Sequence, residues 1–229
     1  MLNQIDQIVI LTLDKRYDLA QELVAQYNRI LLPYTNKSAE LFVVGDGKHD
    51  VKYDLVDSDE LPPRLPHSTT YPTWWKHPNA FNAFKSHTAI FKRFLETGGR
   101  RLLLMEDDAY IWDDAADIYN QNADFLYNMS DITYLGGYNR RGTYTKINNS
   151  LIKCHGTAGF HGIILRDFSI KELLKCGPRG PYDESCHLYV QKSQNAYQIY
   201  PSVITQRPGI SYVEGGNYLP KPDRYSLEN

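Results

Sequence analysis

The sequence contains few cysteines, no long hydrophobic run and almost no net charge. Its three cysteines, Cys154, Cys176 and Cys186, are odd in number and lack the short spacings of metal-binding cysteines, which favours reduced thiols over a disulfide framework. The net charge of −2, from 25 basic and 27 acidic residues, excludes a general electrostatic attraction to nucleic acid or to anionic membranes. No segment approaches the ~18 to 20 apolar residues of a membrane helix, and the amino terminus lacks a signal-peptide pattern. We therefore expect a cytoplasmic protein.

Motifs of two nucleotide-binding classes are absent as well. The sequence has neither the glycine fingerprint of a dinucleotide site nor the phosphate-binding loop of an NTPase. It also has no internal repeat, low-complexity tract or linker that would divide it. With 229 residues, of which 42% are hydrophobic, the chain is predicted to form one domain over residues 1–229 with a sizeable core.

What the sequence does contain is an alternation of strand and helix patterns. Residues 8–13 and 41–44 are short apolar runs typical of buried strands, and between them apolar residues recur at helical spacing until Pro33. A second helix is predicted over 80–97, where a glycine pair ends it. This order predicts an α/β fold with an open mixed sheet flanked by helices.

A long proline-rich segment, residues 50–79, interrupts this alternation. Five prolines in it block an extended helix, so we interpret it as a loop, and loops of this length in compact domains are often functional. Trp74 and Trp75 lie inside it. Two interpretations remain open: the indoles cover a ligand, or they pin the loop to the core.

The most informative segment is an apolar strand that ends in three consecutive carboxylates, Glu106, Asp107 and Asp108. In open α/β sheets, ligands bind in the crevice beyond the strand ends. Hard oxygen ligands crowded there suit Mg²⁺ or Mn²⁺, although clustered acids also occur in solvated loops. Side chains alternate along a strand, so we expect Glu106 and Asp108 on one side and Asp107 on the other. We therefore predict Asp108 as a metal ligand with Glu106 beside it.

A divalent cation held by carboxylates usually bridges substrate phosphates, which predicts a phosphate ester as the substrate. In sugar transfer from a nucleotide diphosphate sugar, the cation would neutralise the departing diphosphate, and an inverting transfer also needs a base for the acceptor hydroxyl. Asp183 and Glu184 follow a glycine and proline turn at a helix start. We favour Asp183 as the catalytic base, and helix capping is the alternative for both residues.

Three histidines each have an ordinary and a functional interpretation. His87 lies on an apolar helix face, which is the usual position of a hydrogen-bonded core histidine. His155 and His161 flank a glycine-rich turn, where the backbone can approach a ligand closely, and we assign His161 to the metal. Gly136, Gly137 and Tyr138 either form a simple turn or shape a sugar pocket.

Three landmarks together resemble the family 25 glycosyltransferases, which include bacterial lipooligosaccharide galactosyltransferases and the collagen galactosyltransferase domain. Residues 8–16 resemble the opening strand and basic turn of that family. Ser86 and His87 on a predicted helix are similar to its Ser-His element, and residues 101–109 resemble its acidic metal motif. The segment from Ser86 to Asp108 is the most specific, because both order and spacing agree.

The resemblance implies a GT-A fold, a UDP-sugar donor, Mn²⁺ or Mg²⁺ as cofactor, and inversion at the anomeric carbon. A hexose, galactose or glucose, would pass to a hydroxyl of a glycan or of a glycosylated protein, as in lipopolysaccharide biosynthesis. Carried over by position, the resemblance implies Asp108 on the metal and Glu106 nearby. The residues assigned to contacts with the nucleotide sugar are Thr12, Asp14, Arg16, Asp46, Ser86, His87, Glu106, Asp107 and Gly137.

Two other functions remain open. With the same cation, the protein could instead be a phosphohydrolase that cleaves a nucleotide sugar with water. Alternatively, the fold is a non-catalytic carbohydrate-binding module in which Trp74, Trp75 and the tyrosines bind glycans. Product analysis separates the first from transfer, and tight glycan binding without nucleotide or metal would favour the second.

Overall fold

The computed structural model describes residues 2–44, 78–139, 144–177, 181–210, 217–218 and 224. Helices and strands alternate through most of this chain, as the sequence pattern predicts. The helices are α1 (Tyr17–Ile30), α2 (Leu32–Thr35), α3 (Pro78–Glu96), α4 (Ala115–Asn120), α5 (Ala123–Met129), α6 (Asp167–Cys176) and α7 (Tyr182–Ser185), which continues as a π-helical turn (Cys186–Val190). The strands are β1 (Gln7–Leu13), β2 (Glu40–Val44), β3 (Arg101–Glu106), β4 (Ala109–Ile111), β5 (Ile132–Tyr134), β6 (Tyr138–Asn139), β7 (Tyr144–Asn148), β8 (Leu151–Cys154), β9 (Thr157–Ala158), β10 (Gly162–Arg166), β11 (Ala196–Ile199), β12 (Ile204–Gln206), β13 (Gly209–Ile210) and β14 (Asn217–Tyr218).

Eight of these strands form one mixed sheet in the order β2-β1-β3-β10-β5-β11-β8-β7. Strands β2, β1 and β3 are parallel to one another, and β10 runs antiparallel between β3 and β5. The carboxyl ends of β1, β2 and β3 therefore share one edge of the sheet with the amino end of β10. The expected α/β fold with an open mixed sheet flanked by helices is confirmed.

The central strand β3 is apolar throughout because both faces of the sheet are covered. Leu103 and Met105 pack into one core with α1, whereas Leu102 and Leu104 pack into a second core with α3. All four side chains are fully buried. The strand is thus held rigidly in the middle of the fold, and the acidic residues that follow it inherit that fixed position.

The structure differs from the sequence pattern in two places. Helix α3 begins at Pro78, so the loop predicted for 50–79 ends earlier, and most of it, including Trp74 and Trp75, lies outside the described residues. The segment after 200 contains β12, which pairs antiparallel with β4. The sequence gives no sign of β12 because three residues are too few to show a strand period.

The three cysteines are free thiols. Burial raises the pKa of Cys154 and of Cys186 to about 12, so both stay protonated and unreactive at neutral pH. Cys176 is only partly buried. In the part of the chain that the structure describes, no helix combines the length and the apolar character needed to cross a membrane.

Candidate active site

The three consecutive acids lie where β3 ends, at the edge shared by the parallel strands. The register pairs Met105 of β3 with Gly162 of β10, so Glu106 and His161 stand opposite each other. Each acid has a different set of partners. The three carboxylates therefore differ in charge and in availability to a ligand.

The carboxylate of Asp107 is paired with two other side chains of the protein. The Thr12 hydroxyl donates a hydrogen bond of 2.7 Å to its Oδ2, and the Arg16 guanidinium lies 2.8 Å from its Oδ1. Burial raises the pKa of Asp107, while Arg16 and Thr12 oppose that rise. Thr12 and Arg16, both expected at the nucleotide, thus hold the turn after β1 against the end of β3, and Asp14 in that turn is exposed. Their contact with a nucleotide stays a prediction.

Glu106 faces α3, where it meets His87. Nδ1 of His87 donates to the Ala83 carbonyl at 2.8 Å, which leaves Nε2 directed at Oε1 of Glu106, 3.3 Å away. Nε2 has no aligned hydrogen-bond partner among the residues that the structure describes. Burial would raise the pKa of Glu106, but His87, His161 and Arg16 together hold it below its usual value. Glu106 is therefore ionised at neutral pH.

His87 is a core side chain that also reaches the acidic edge, and its contact with a nucleotide sugar stays a prediction. Its ring is buried and lies 5.6 Å from the Phe160 ring and 6.3 Å from the Tyr182 ring, as a core side chain would. Its outward nitrogen nevertheless reaches the acidic edge. Ser86, one residue earlier, donates from Oγ to the Asn82 carbonyl at 2.8 Å, so its hydroxyl is used within the helix.

His161 presents a neutral imidazole to the site. Burial lowers its pKa to about 4, although the charge of Glu106 opposes this. Its ring lies 5.3 Å from the ring of Tyr138. A neutral imidazole can bind a cation or exchange a hydrogen bond with a ligand. His155, in contrast, is exposed and bonded to the Thr145 hydroxyl at 3.0 Å, on the β7–β8 hairpin.

The two carboxylate oxygens of Asp108 differ in their hydrogen bonding. The Gln206 amide donates to Oδ2 at 2.8 Å, whereas Oδ1 is buried and has no hydrogen-bond partner among the described residues. Burial, followed by the charge of Glu106, raises the pKa of Asp108 to about 7, with the Gln206 hydrogen bond opposing. A buried acceptor without a partner costs about 1 to 3 kcal/mol of folding free energy, so a cation or hydrogen-bond donor bound at this oxygen would be stabilising.

The donor set fits a cation shared with a substrate better than an all-protein metal cage. Within the described ranges, no three or more His, Cys, Asp or Glu side chains are grouped so that they could hold a metal ion. The predicted trio of Asp108, Glu106 and His161 is therefore not a preformed cage. Mg²⁺ usually takes one or two carboxylates together with substrate phosphates, and the ionised Glu106 and the orphaned oxygen of Asp108 match that requirement.

Asp183 and Glu184 on α7 have separate environments. Glu184 is buried and its Oε2 lies 2.7 Å from Nε2 of His187, which commits it to an internal pair. Burial, then the charges of Glu184 and Glu106, raise the pKa of Asp183 to about 6, while His87 opposes the rise. Asp183 is thus close enough to Glu106 and His87 for their charges to affect its pKa.

Helix α7 reaches this position by packing on α3. The Tyr182 ring stacks on Phe84 with centroids 4.7 Å apart, and its hydroxyl lies 3.1 Å from the Thr88 hydroxyl. The same helix that carries His87 therefore also sets the position of Asp183. Sequence reasoning found both residues but had no means of relating them.

The glycine pair after β5 is explained by internal packing. A Cβ on Gly136 would lie 1.6 Å from the Ile204 carbonyl oxygen, and one on Gly137 would lie 2.6 Å from Cγ2 of Thr157. Both glycines therefore let the chain pass between β9 and β12. A role of Gly137 in donor binding stays a prediction, and Asp46 lies outside the described residues.

Sequence reasoning missed Gln206, which contacts Asp108 directly. The Tyr138 hydroxyl donates to Oε1 of Gln206 at 2.9 Å. The sequence singled out Tyr138 together with the glycine pair, but it gave no signal for Gln206.

Comparisons with known proteins give distant similarities only. No family model and no curated protein matches the chain, so membership of the family 25 glycosyltransferases stays a prediction. The solved structures that match include a protein from STIV (12% identity, 94% of this chain and 97% of the other, TM-score 0.44). They also include a glycosyltransferase involved in the glycosylation of the major capsid of PBCV-1 (10%, 91% and 96%, 0.43) and mannose-1-phosphate geranyltransferase from Thermus thermophilus (11%, 85% and 74%, 0.41). At these values the similarity is too distant to assign an activity or a substrate to this chain.

Proposed function

We propose that the chain is a metal-dependent, inverting, GT-A-like glycosyltransferase that moves a hexose from a UDP-sugar to a hydroxyl of a glycan or glycosylated protein. One observation carries this proposal. Two carboxylates with different protonation behaviour, Glu106 and Asp108, end a rigid central strand, and a third acid with a raised pKa, Asp183, stands close to the same edge.

The acidic edge supports the donor half of the reaction. Glu106 and Asp108 would hold Mn²⁺ or Mg²⁺, and this cation, when bound, would neutralise the negative charge that develops on the departing diphosphate. The orphaned Oδ1 of Asp108 supports this role because a buried acceptor without a partner favours a bound cation. The neutral His161 beside them can add a nitrogen ligand or a hydrogen bond without bringing a competing positive charge.

Asp183 is the proposed base for the acceptor half. A carboxyl group whose pKa is raised to about 6 is mostly ionised at neutral pH, yet is more basic than an ordinary carboxylate. It can therefore accept the proton of an acceptor hydroxyl as that oxygen attacks the anomeric carbon. Glu184 is the weaker candidate because its carboxylate is already paired with His187.

The decisive test replaces Asp108 by asparagine and measures both transfer and UDP binding. Transfer from a panel of UDP-hexoses with Mn²⁺ should fall at least ~100-fold, the scale typical of losing one electrostatic contact in the transition state. The Mn²⁺-dependent rise in melting temperature with UDP should also disappear, because only a ligand of the folded state raises stability.

Asp113→Asn is the matched control. Asp113 is a nearby aspartate whose side chain is 75% exposed and paired with Arg29, so both readouts should match wild type. Unchanged Mn²⁺-dependent transfer in Asp108→Asn would refute the proposed metal role. Release of sugar phosphate with no acceptor product would favour a phosphohydrolase, and glycan binding without nucleotide or metal would favour a binding module.

A further inference from the structure

A chain of hydrogen bonds joins three residues, Tyr138, Gln206 and Asp108. The Tyr138 hydroxyl donates to Oε1 of Gln206 at 2.9 Å, and Nε2 of Gln206 donates to Oδ2 of Asp108 at 2.8 Å. The Tyr138 ring also lies 5.3 Å from the ring of His161. The chain therefore links Asp108 to Tyr138, whose ring lies beside His161.

The backbone fixes the distance between Gln206 and Asp108. Strand β12 pairs with β4 so that Gln206 stands opposite Ala109, the residue after Asp108. In addition, the Arg207 backbone N–H donates to the Asp108 carbonyl at 2.6 Å. Gln206 therefore has little freedom to move away from Asp108 as long as the two strands remain paired.

The direction of the amide follows from its two partners. In its ionised form, which is the form that would bind a cation, the Asp108 carboxylate only accepts hydrogen bonds, so the NH₂ group of Gln206 faces Asp108 and the carbonyl faces away. The Tyr138 hydroxyl donates to that carbonyl and so opposes rotation of the amide. One oxygen of Asp108 is thereby held, and the other, Oδ1, stays without a partner among the described residues.

We propose that Gln206, held by Tyr138, is a positioning residue that turns the Asp108 carboxylate so that Oδ1 is presented to the cation and diphosphate. This inference rests on the proposed function. Hydrogen-bond partners of metal-binding carboxylates orient those ligands, and losing such a partner typically weakens metal affinity by about 10- to 100-fold.

The test measures Mn²⁺ affinity in the presence of saturating UDP, by the electron paramagnetic resonance signal of free Mn²⁺. Gln206→Met keeps the side-chain length and removes both hydrogen bonds, so affinity should fall by about 10- to 100-fold. Tyr138→Phe removes only the hydroxyl and should give a smaller loss in the same direction. It also serves as the second variant if Gln206→Met fails to fold.

Thr205→Val is the matched control on the same strand. Thr205 accepts a hydrogen bond of 3.1 Å from the Trp112 indole and makes no contact with Asp108, so Mn²⁺ affinity should stay at the wild-type value. UDP affinity without metal should be unchanged in Gln206→Met, although loss of the two hydrogen bonds is expected to lower the melting temperature. A merely structural role would lower metal-free UDP affinity as well.

The outcomes separate this inference from the function on which it rests. If Gln206→Met binds Mn²⁺ with UDP as tightly as wild type, or loses metal-free UDP binding to the same extent, the positioning role is refuted and the proposed function stands. If wild-type protein binds no Mn²⁺ in the presence of UDP, the proposed function fails and this inference fails with it.

Discussion

Replacing Arg16 by methionine should destabilise the protein strongly, because the buried carboxylate of Asp107 would lose its counter-charge. The guanidinium lies 2.8 Å from Oδ1 of Asp107, whose side chain is 6% exposed. The remaining partner, Thr12, supplies one hydrogen bond. Removing one partner of a buried ion pair costs about 3 to 5 kcal/mol. Because the side chain of Arg16 is itself 15% exposed, we expect a loss near the lower figure, ~3 kcal/mol.

The loss should depend on pH in a defined direction. Burial already raises the pKa of Asp107, and removing Arg16 removes a charge that opposes the rise. The native state then binds a proton at a higher pH than the unfolded chain does, so stability falls as the pH rises through the folded pKa. The deficit of Arg16→Met is therefore largest above the folded pKa of Asp107 and shrinks as the pH falls through it, because a protonated Asp107 needs no cation.

Urea denaturation over a series of pH values measures the free energy of unfolding, and Arg29→Met provides the control. Arg29 lies the same 2.8 Å from Asp113, but the two side chains are 62% and 75% exposed. Losing an exposed pair costs less than ~1 kcal/mol. Equal losses in the two variants, or a loss in Arg16→Met that does not change with pH, would refute the argument from burial.

Two further outcomes are expected. At saturating Mn²⁺, where the proposed metal keeps Asp108 ionised, the value of kcat/KM should rise with pH with a midpoint near the pKa of Asp183, about 6, because the base acts only when ionised. Asp183→Asn should lower kcat by about 100- to 10,000-fold and remove this acidic limb, whereas Glu184→Gln should keep it. A pH–rate profile in which Asp183→Asn retains the limb would assign it to another group. Gly136→Ala should lower the free energy of unfolding by at least ~2 kcal/mol in a urea titration, because its Cβ would lie 1.6 Å from the Ile204 carbonyl oxygen, and an unchanged midpoint would contradict this packing argument.

The elements that could be predicted from sequence are those that depend on neighbouring residues. Strand β3 is a continuous apolar run because both of its faces are buried, and α3 shows helical spacing because one of its faces packs against the sheet. The candidate site was found at the end of β3 for the same reason. A buried strand that stops at three acids must present them at a sheet edge.

The partners of those acids were not predictable. Gln206 follows Asp108 by 98 residues and belongs to a strand of three residues, too short for any periodic signal. Whether His87 belongs to the core or to the site also had no local answer. The structure places its ring in the core, while the packing of α3 against the sheet brings its Nε2 to Glu106.

The order of residues alone was sufficient to indicate an α/β sheet with an acidic edge. It separated Asp107 from Glu106 and Asp108 only by the alternation of side chains along a strand, and it could not show which partners each carboxyl group would have. Long-range packing separates them: Arg16 and Thr12 hold Asp107, His87 faces Glu106, and Gln206 leaves one oxygen of Asp108 unpaired among the described residues. The protonation and availability of a buried acid depend on its burial and on nearby charges, and distant segments of the chain supply both.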